Sequence, residues 1–264
     1  TLVAESVSGT SYDDEVTTAP DNYYYEVTAF CGGRQGHTGT SNKGVFGTGS
    51  TLPYQLGFES KTAFELWTVI DANHDFNDLR YGKWQYGADM KVDDDEGKVA
   101  VYKWHNANDA DDWIISPPFK VEKGKKYEVT YLVKTRTSEE QQQVAAGDLN
   151  TVERMVPITE VMKLKSQDYL EKKAQFTATK DGNFYVGFHA LSKKNAYYLI
   201  LKSISIDEVP NDDAPAAVEQ LTATADPTGA LKATVAFKAP SKTKSGAALT
   251  ALTKVDIFHG NDTN

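Results

Sequence analysis

Short runs of alternating apolar and polar residues, cut at intervals of roughly 8–15 residues by Gly, Asn, Asp or Pro, dominate this chain and leave little room for helices. Clear cases are residues 23–30, 98–104, 126–134, 172–178, 183–189, 197–208, 218–225 and 231–237. In the first, Tyr23, Tyr25, Val27 and Ala29 fall on one face and Tyr24, Glu26, Thr28 and Phe30 on the other. A period of two is that of a half-buried strand, because successive side chains of a strand leave on opposite faces. Residues 60–66 read as a helix and 167–172 as a short turn. The pattern predicts an all-β protein.

Length and charge narrow the rest. At 264 residues the chain holds one large or two small domains, and a 40% apolar share with 14 Tyr and 11 Phe is enough for a core. A formal charge of −9 argues against nucleic acid and against an anionic membrane surface, both of which ask for clustered cations. Lys120, Lys123, Lys125 and Lys126 lie close together, but with acids interleaved they read as a solvated turn. No run of about 18 apolar residues occurs, so no helical span is expected. The lone Cys31 excludes an intrachain disulfide and has no sequence-adjacent His or acid to make it a nucleophile. The start at Thr1, without Met or an apolar leader, reads as a mature product or an excised piece, with any export signal or anchor elsewhere. His37, His74, His105, His189 and His259 are scattered, and HExxH, GxSxG and phosphate-loop patterns are all missing, so a non-enzyme is expected.

Two stretches read as linkers: residues 44–53, rich in Gly and small polar residues, and 210–215, where two prolines flank acids. They divide the chain into 1–47, 52–208 and 214–264, and all four tryptophans fall in the middle piece. The outer pieces are each too small to bury a β core alone, yet together they have roughly the 100 residues of one immunoglobulin-like sandwich. The C-terminal piece supplies expected strands at 218–225, 231–237 and 252–258, and the N-terminal piece at 1–5, 11–16, 23–30 and 38–45. From Asp213 through Gly260 the chain resembles the first half of the fibronectin type III repeats of Bacteroidetes surface proteins, and residues 1–47 resemble the second half, with Tyr25 in the tyrosine-bearing strand. The resemblance implies a fibronectin type III-like sandwich assembled from the two ends, with the break after Phe258-His259-Gly260, by pairing within one chain or by strand exchange between chains.

The middle piece carries several ordered motifs: Pro53-Tyr54, Phe58-Glu59, Trp67-Thr68-Val69-Ile70-Asp71, Asp112-Trp113 and Ile115-Ser116-Pro117-Pro118. In these it is similar to the choice-of-anchor J and cleaved-adhesin family, which includes the adhesin modules of gingipains. That likeness implies a jelly-roll β-sandwich in an extracellular or cell-surface adhesion protein, with an extracellular protein or a glycan as partner. The residues themselves agree: Trp113-Ile114-Ile115-Ser116 is an apolar strand stopped by two prolines, and Lys123-Gly124-Lys125 is a turn into the strand 127–133. Asp181-Gly182 reads as a hairpin turn with positive φ at both positions, and 138–150, polar and Gln-rich, as a long exposed loop.

Candidate sites follow from side-chain chemistry. Asp71, Asn73 and Asp75 alternate oxygen donors along one loop, as calcium requires, although Phe76 replaces the glycine of the EF-hand pattern and Gly82 its glutamate. Turn-forming acids are the alternative. The jelly-roll likeness further implies a structural calcium held by an early Glu and a late Asp, which Glu59 and Asp207 fit. Asp93-Asp94-Asp95-Glu96-Gly97 reads as a solvated hairpin tip, with weak cation binding as the alternative. Asn106, Asn108, Asp109, Asp111 and Asp112 form a polar loop suited to a ligand rim. Trp84, Tyr86 and Trp104 are the candidates for an aromatic sugar platform, and Trp67 and Trp113, in strongly apolar runs, for the core. These readings make a carbohydrate-binding module or a structural spacer the alternatives to an adhesion module.

Overall fold

A strand with every second side chain apolar is stable only when a second layer covers that face. Two sheets cover one another in the middle of this chain. The computed structural model describes residues 2–41, 44–77, 81–92, 94–211 and 213–257, and the chain forms two units, Thr1–Val209 and Pro210–Asn264. In the first unit β1 (Asp21–Tyr23) pairs with β4 (Gly44–Phe46), and β2 (Glu26–Cys31) pairs with β3 (Arg34–Thr40). The sandwich follows. One sheet has the order β15 (Leu170–Thr177), β11 (Lys126–Thr135), β17 (Tyr198–Glu208), β8 (Ala100–Lys103), β7 (Lys83–Tyr86), with β5 (Tyr54–Gly57) also on β17. The other runs β13 (Met155–Pro157), β12 (Glu140–Gly147), β16 (Gly182–Ala190), β9 (Asp112–Ile115), β6 (Thr68–Asp71), with β10 (Phe119–Val121) on β16 and β14 (Met162–Leu164) on β12. All these pairings are antiparallel, and the result is an all-β jelly-roll sandwich, as expected.

The core sits between the sheets. Tyr127, Val129, Tyr131 and Val133 of β11 alternate inward and meet Val144, Ala146, Val186 and Phe188 of the facing sheet. In β17 the inward set changes parity, from Leu199 and Leu201 to Ile204 and Ile206, because the register against β11 slips between Leu132 and Val133 and leaves Lys202 as the extra residue. A bulge of this kind re-aims one side chain without breaking the sheet. The freed Lys202 reaches Asp95 at 2.5 Å, and Tyr169 donates to the same carboxylate at 2.6 Å. Asp95 is therefore ion-paired rather than a solvated tip residue, and Asp93 lies outside the described residues.

Several expectations are corrected. Residues 138–150 are not an exposed loop: β12 occupies 140–147 and is bonded by β13 and β14 on one side and β16 on the other. Pairing on both edges satisfies its backbone, so a Gln-rich stretch can serve as an interior strand. Residues 167–172 are not a turn throughout, since β15 begins at Leu170. Asp181-Gly182 joins β15 to β16, which belong to different sheets, so it is no hairpin turn; only Gly182 has positive φ, at 116°, and Asp181 instead accepts from the Lys123 amide at 2.7 Å. The helix at 60–66 is present as α1 (Lys61–Glu65), capped by the Ser60 hydroxyl, which accepts from the Ala63 amide at 3.1 Å.

The outer pieces depart further. The run 23–30 splits into β1 and β2, and Val27 and Phe30 are exposed, because this hairpin has no covering layer. The expected strand at 38–45 divides between the end of β3 and the start of β4. No strand forms over 2–20 or 252–257, where few apolar groups find a partner, and Phe258 lies outside the described residues. The stretch 44–53 is not a free linker: Val45 is buried, the Gly49 amide donates to Asn183 at 2.9 Å, and Ser50 bridges to Phe119. A Cβ on Gly49 would lie 2.8 Å from the Phe119 backbone, which explains the glycine. The second unit is built on β18 (Glu219–Ala225) and β19 (Ala233–Lys238), whose Leu221, Ala223, Val235 and Phe237 share a face.

Candidate functional site

Strand register brings four connections to one end of the sandwich. Asp71 at the end of β6 lies opposite Asp112 at the start of β9, and Asp112 lies opposite Ala190 at the end of β16. Lys103 at the end of β8 lies opposite both Tyr198 and Lys83. Residues 72–77 and 81–82, the loops 104–111 and 191–197, and the turn between β11 and β12 therefore converge there. They are bonded to one another through Ala72 N to Asp111 O at 3.0 Å, Ala110 N to Ser192 O at 2.8 Å, and Asn195 N to His105 O at 2.9 Å.

Two surfaces result. The first is a shallow open depression bordered by Asn73, Asn108, Asp109, Asp111, His189 and Lys194. Asp109 is fixed by Lys193 at 2.8 Å and by the Lys194 amide at 2.9 Å, which together hold its carboxyl below the usual range. His189 stacks on Trp113 with ring centres 4.0 Å apart and reaches Asp111 at 2.7 Å. Burial lowers the His189 pKa, and Asp111 opposes that shift. The second surface is aromatic. The half-buried Trp104 ring lies 5.0 Å from Tyr81, 4.8 Å from Tyr197 and 5.6 Å from Tyr198. Lys103 sits 3.8 Å over Tyr81, and Arg136 lies 5.6 Å from Tyr198.

Beneath both surfaces the core becomes polar. Asp112, Glu140 and Gln142 point inward from one sheet and Tyr102 from the other, and all are buried. Burial, then the neighbouring Asp71 and Asp75, push the Asp112 carboxyl up to about 8. Burial also raises Glu140, which accepts from the Tyr197 amide at 2.6 Å. Asp71 accepts from the amides of Asp75 at 3.1 Å and Phe76 at 3.0 Å, closing the loop that presents Asn73 and Asp75. His105 Nδ1 accepts from the amides of Ala107 and Asn108 at 3.2 and 3.1 Å, so it carries a lone pair and not a proton. Its 3.6 Å approach to Asp75 is accordingly no ion pair.

The expected site residues fare unequally. Asp71, Asn73 and Asp75 are brought together. Glu59 and Asp207 are not: β5 runs antiparallel to β17 with Tyr54 opposite Ile206 and Gly57 opposite Ser203, which puts the two carboxylates at opposite ends of that ladder. Trp84 and Tyr86 are core residues, not a platform, because both face inward from β7, and Trp84 donates to the Asp112 carbonyl at 3.2 Å. Trp104 alone of the three lies at the loop end. Trp67 and Trp113 are buried, Trp113 on the outer face of its sheet beside Met155 and Tyr185. Gly187 makes room for it, since a Cβ there would stand 3.1 Å from the indole. Asp112 is part of the acidic group and not of the rim; its place on the same strand face as Ile114 is the signal that marks it.

The fold and its loop end define a jelly-roll module with a polar rim and an aromatic patch. No family model and no curated protein matches the chain. Among solved structures it is similar in chain path to the K1 cleaved adhesin domain of Lys-gingipain from Porphyromonas gingivalis W83, with 14% identity over 60% of this chain and 98% of that one, TM-score 0.43. The K2 cleaved adhesin domain of Lys-gingipain gives 17% identity over 58% and 98%, TM-score 0.44. The BiXyn10A CBM1 structure gives 13% over 61% and 100%, TM-score 0.41. Identities this low transfer no residue roles.

Proposed function

We propose that this chain is a non-catalytic recognition module of an extracellular or cell-surface protein, and that the loop end of its sandwich binds a glycan. The observation that carries the reading is the partly open aromatic group of Trp104, Tyr81 and Tyr197 at the same end as the polar depression. Pyranose rings offer an apolar face for stacking and hydroxyls for hydrogen bonds, and ligand sites generally combine apolar lining with a few placed polar groups. A glycan array followed by calorimetry tests it. Binding lost in Trp104→Ala and weakened in Asn108→Ala, with unchanged folding, is expected; no glycan binding, or binding indifferent to both changes, refutes it.

A second reading concerns assembly. Among the large apolar side chains exposed in the described residues, only Phe76, Leu149, Val156 and Val161 belong to the sandwich between residues 52 and 208, and the rest lie in the terminal pieces. A two-stranded sheet with an open apolar face is marginal alone. Each terminal hairpin, read as half of a fibronectin type III-like domain, takes its covering strands from another copy of the chain. Light scattering that stays monomeric over a wide concentration range, or a dimer untouched by Leu221→Asp with Val235→Asp, counts against this.

A further inference from the structure

Strand register gathers five cations that are scattered in the sequence onto the outer face of the first sheet, near its loop end. Lys83 alternates with the inward Trp84 on β7 and Lys103 with the inward Tyr102 on β8. Lys134 on β11, and Arg136 just beyond it, alternate with the buried Val133 and Thr135. Lys202, the extra residue of the β17 bulge, lies 5.1 Å from the Tyr169 ring that Lys134 covers at 4.4 Å. Lys83 stands directly opposite Lys103, which stands opposite Tyr198, the ring that Arg136 approaches. Lys103 also lies 5.4 Å from the Trp104 ring. Like charges directly opposite on a ladder destabilise it, a cost that a bound anion relieves. Each cation–ring contact among the described residues involves one of these five cations. Asp95 meets Lys202 at 2.5 Å, whereas Glu171, opposite Leu132, and Glu128, opposite Asp207, lie farther from the loop end.

We propose that the glycan taken by this module is acidic, a chain whose sugar rings carry carboxylates, and that these cations meet its charges beside the Trp104 ring. The inference rests on the glycan reading above and adds the class of ligand to it. A cation seated on a ring has a defined place, and a lysine carries three donors and an arginine five, more than one partner uses. Arg136 supplies the planar fork that matches a carboxylate, and Lys103 a point charge beside two aromatic rings, Tyr81 and Trp104. Burial lowers the Lys103 pKa, so its ammonium is already partly stripped of water and gains from an anion. The apolar face of a sugar then rests on an aromatic ring while the carboxylate at its edge meets the neighbouring cation. With a formal charge of −9 the chain as a whole repels dense polyanions. A local cationic face on such a chain suits a polymer with a single charge on each acidic sugar, and not a heavily sulfated glycan or a nucleic acid.

The experiment measures binding of the full chain to polygalacturonate, alginate and hyaluronan, each beside the same polymer with its carboxylates methyl-esterified, together with neutral glycans, heparin and single-stranded DNA. At least one uronate polymer is expected to bind, its ester about tenfold more weakly, and raising salt from about 0.05 to about 0.5 M should weaken the acidic complex about fivefold or more. These two comparisons need no variant. Lys103→Gln and Arg136→Gln should each weaken uronate binding about threefold or more, and Lys173→Gln, at the far end of the same sheet beside Glu128, should leave it unchanged. Circular dichroism confirms the fold of each variant. Neutral glycans or esters that bind as tightly as the acids, with Trp104→Ala abolishing both, overturn the inference and leave the glycan reading standing. Binding of nothing on the panel overturns both. Equal affinity for heparin or DNA, or uronate binding indifferent to salt and to both substitutions, also refutes the acidic-glycan assignment.

Discussion

Replacing Phe188 by alanine tests the sandwich at its centre. The ring is fully buried on β16 and spans the two sheets: it meets Tyr131 of β11 edge-on at 5.1 Å and 69°, and Trp67 at 6.5 Å. Truncation of a core phenylalanine costs about 3–5 kcal/mol, part of it the cavity that the neighbours fail to fill. Two aromatic contacts, each worth about 0.5–1.5 kcal/mol beyond area, place Phe188→Ala near the top of that range. For a unit of this size about 1 kcal/mol shifts the melting temperature by about 2–4 °C, so a drop of roughly 8–18 °C is expected. The control is Val27→Ala on β2, 73% exposed, whose cost in the dilute monomer stays within about 0.5 kcal/mol. Urea and thermal melts followed by circular dichroism read both. A Phe188→Ala cost below about 1 kcal/mol would refute the inter-sheet core, since no well-packed phenylalanine is lost so cheaply. A Val27→Ala cost above that level would show β2 covered in the monomer.

Trp84→Ala is expected to cost about 3–5 kcal/mol, because the ring fills the core and its N–H is bonded to the Asp112 carbonyl; a stable variant with altered glycan binding would contradict the core placement. Arg154 first, then Lys180, hold the Asp148 carboxyl well below the usual carboxylate range. A lowered folded pKa gives stability that is present above about pH 4 and lost as pH falls through the folded value. Asp148→Asn should therefore cost about 1 kcal/mol at pH 7, discounted for the exposed partners, and the gap to the parent should close toward pH 2 in acid melts. Glu140 has the opposite sign: burial raises its pKa, so its charge opposes folding above that pKa and the opposition fades as pH falls toward the unfolded value. Glu140→Gln, which keeps an oxygen for the Tyr197 amide, should be neutral to stabilising at pH 8, and a clear destabilisation there would show a charge-dependent partner.

The sandwich was legible where its signal is local. Alternation along 126–134 and the apolar block at Trp113 specify faces without reference to any neighbour, and both hold. What could not be read depends on register. Trp84 and Trp104 look alike in sequence, yet Trp84 sits opposite Tyr102 on the inward face of β7, and Trp104 falls one residue beyond the end of β8. Glu59 and Asp207 were paired by analogy, and the direction of β5 along β17 separates them. Residues 140–147 were hidden because Gln carries weak strand preference, while the ladders that hold them come from residues near 156, 163 and 188.

The polar end of the core gives the candidate site a physical rationale. A sandwich built only for stability would fill the last inward layer with apolar side chains, as it does elsewhere with Ile114, Val144 and Leu201. Here that layer holds Asp112, Glu140, Gln142 and Tyr102, and each has at least one buried polar atom without a hydrogen-bond partner. Every such group costs stability, by about 1–3 kcal/mol in mutational series. Among the described residues these groups lie beneath the converging loops, and the unpartnered Trp113 Nε1 is separate, on the outer face of its sheet. Polar groups retained at one end of an otherwise apolar core mark that end as the place where the fold gives up stability. The same layer underlies the loops that carry Trp104 and Asn73, and Glu140 reaches the Tyr197 amide beside the aromatic patch.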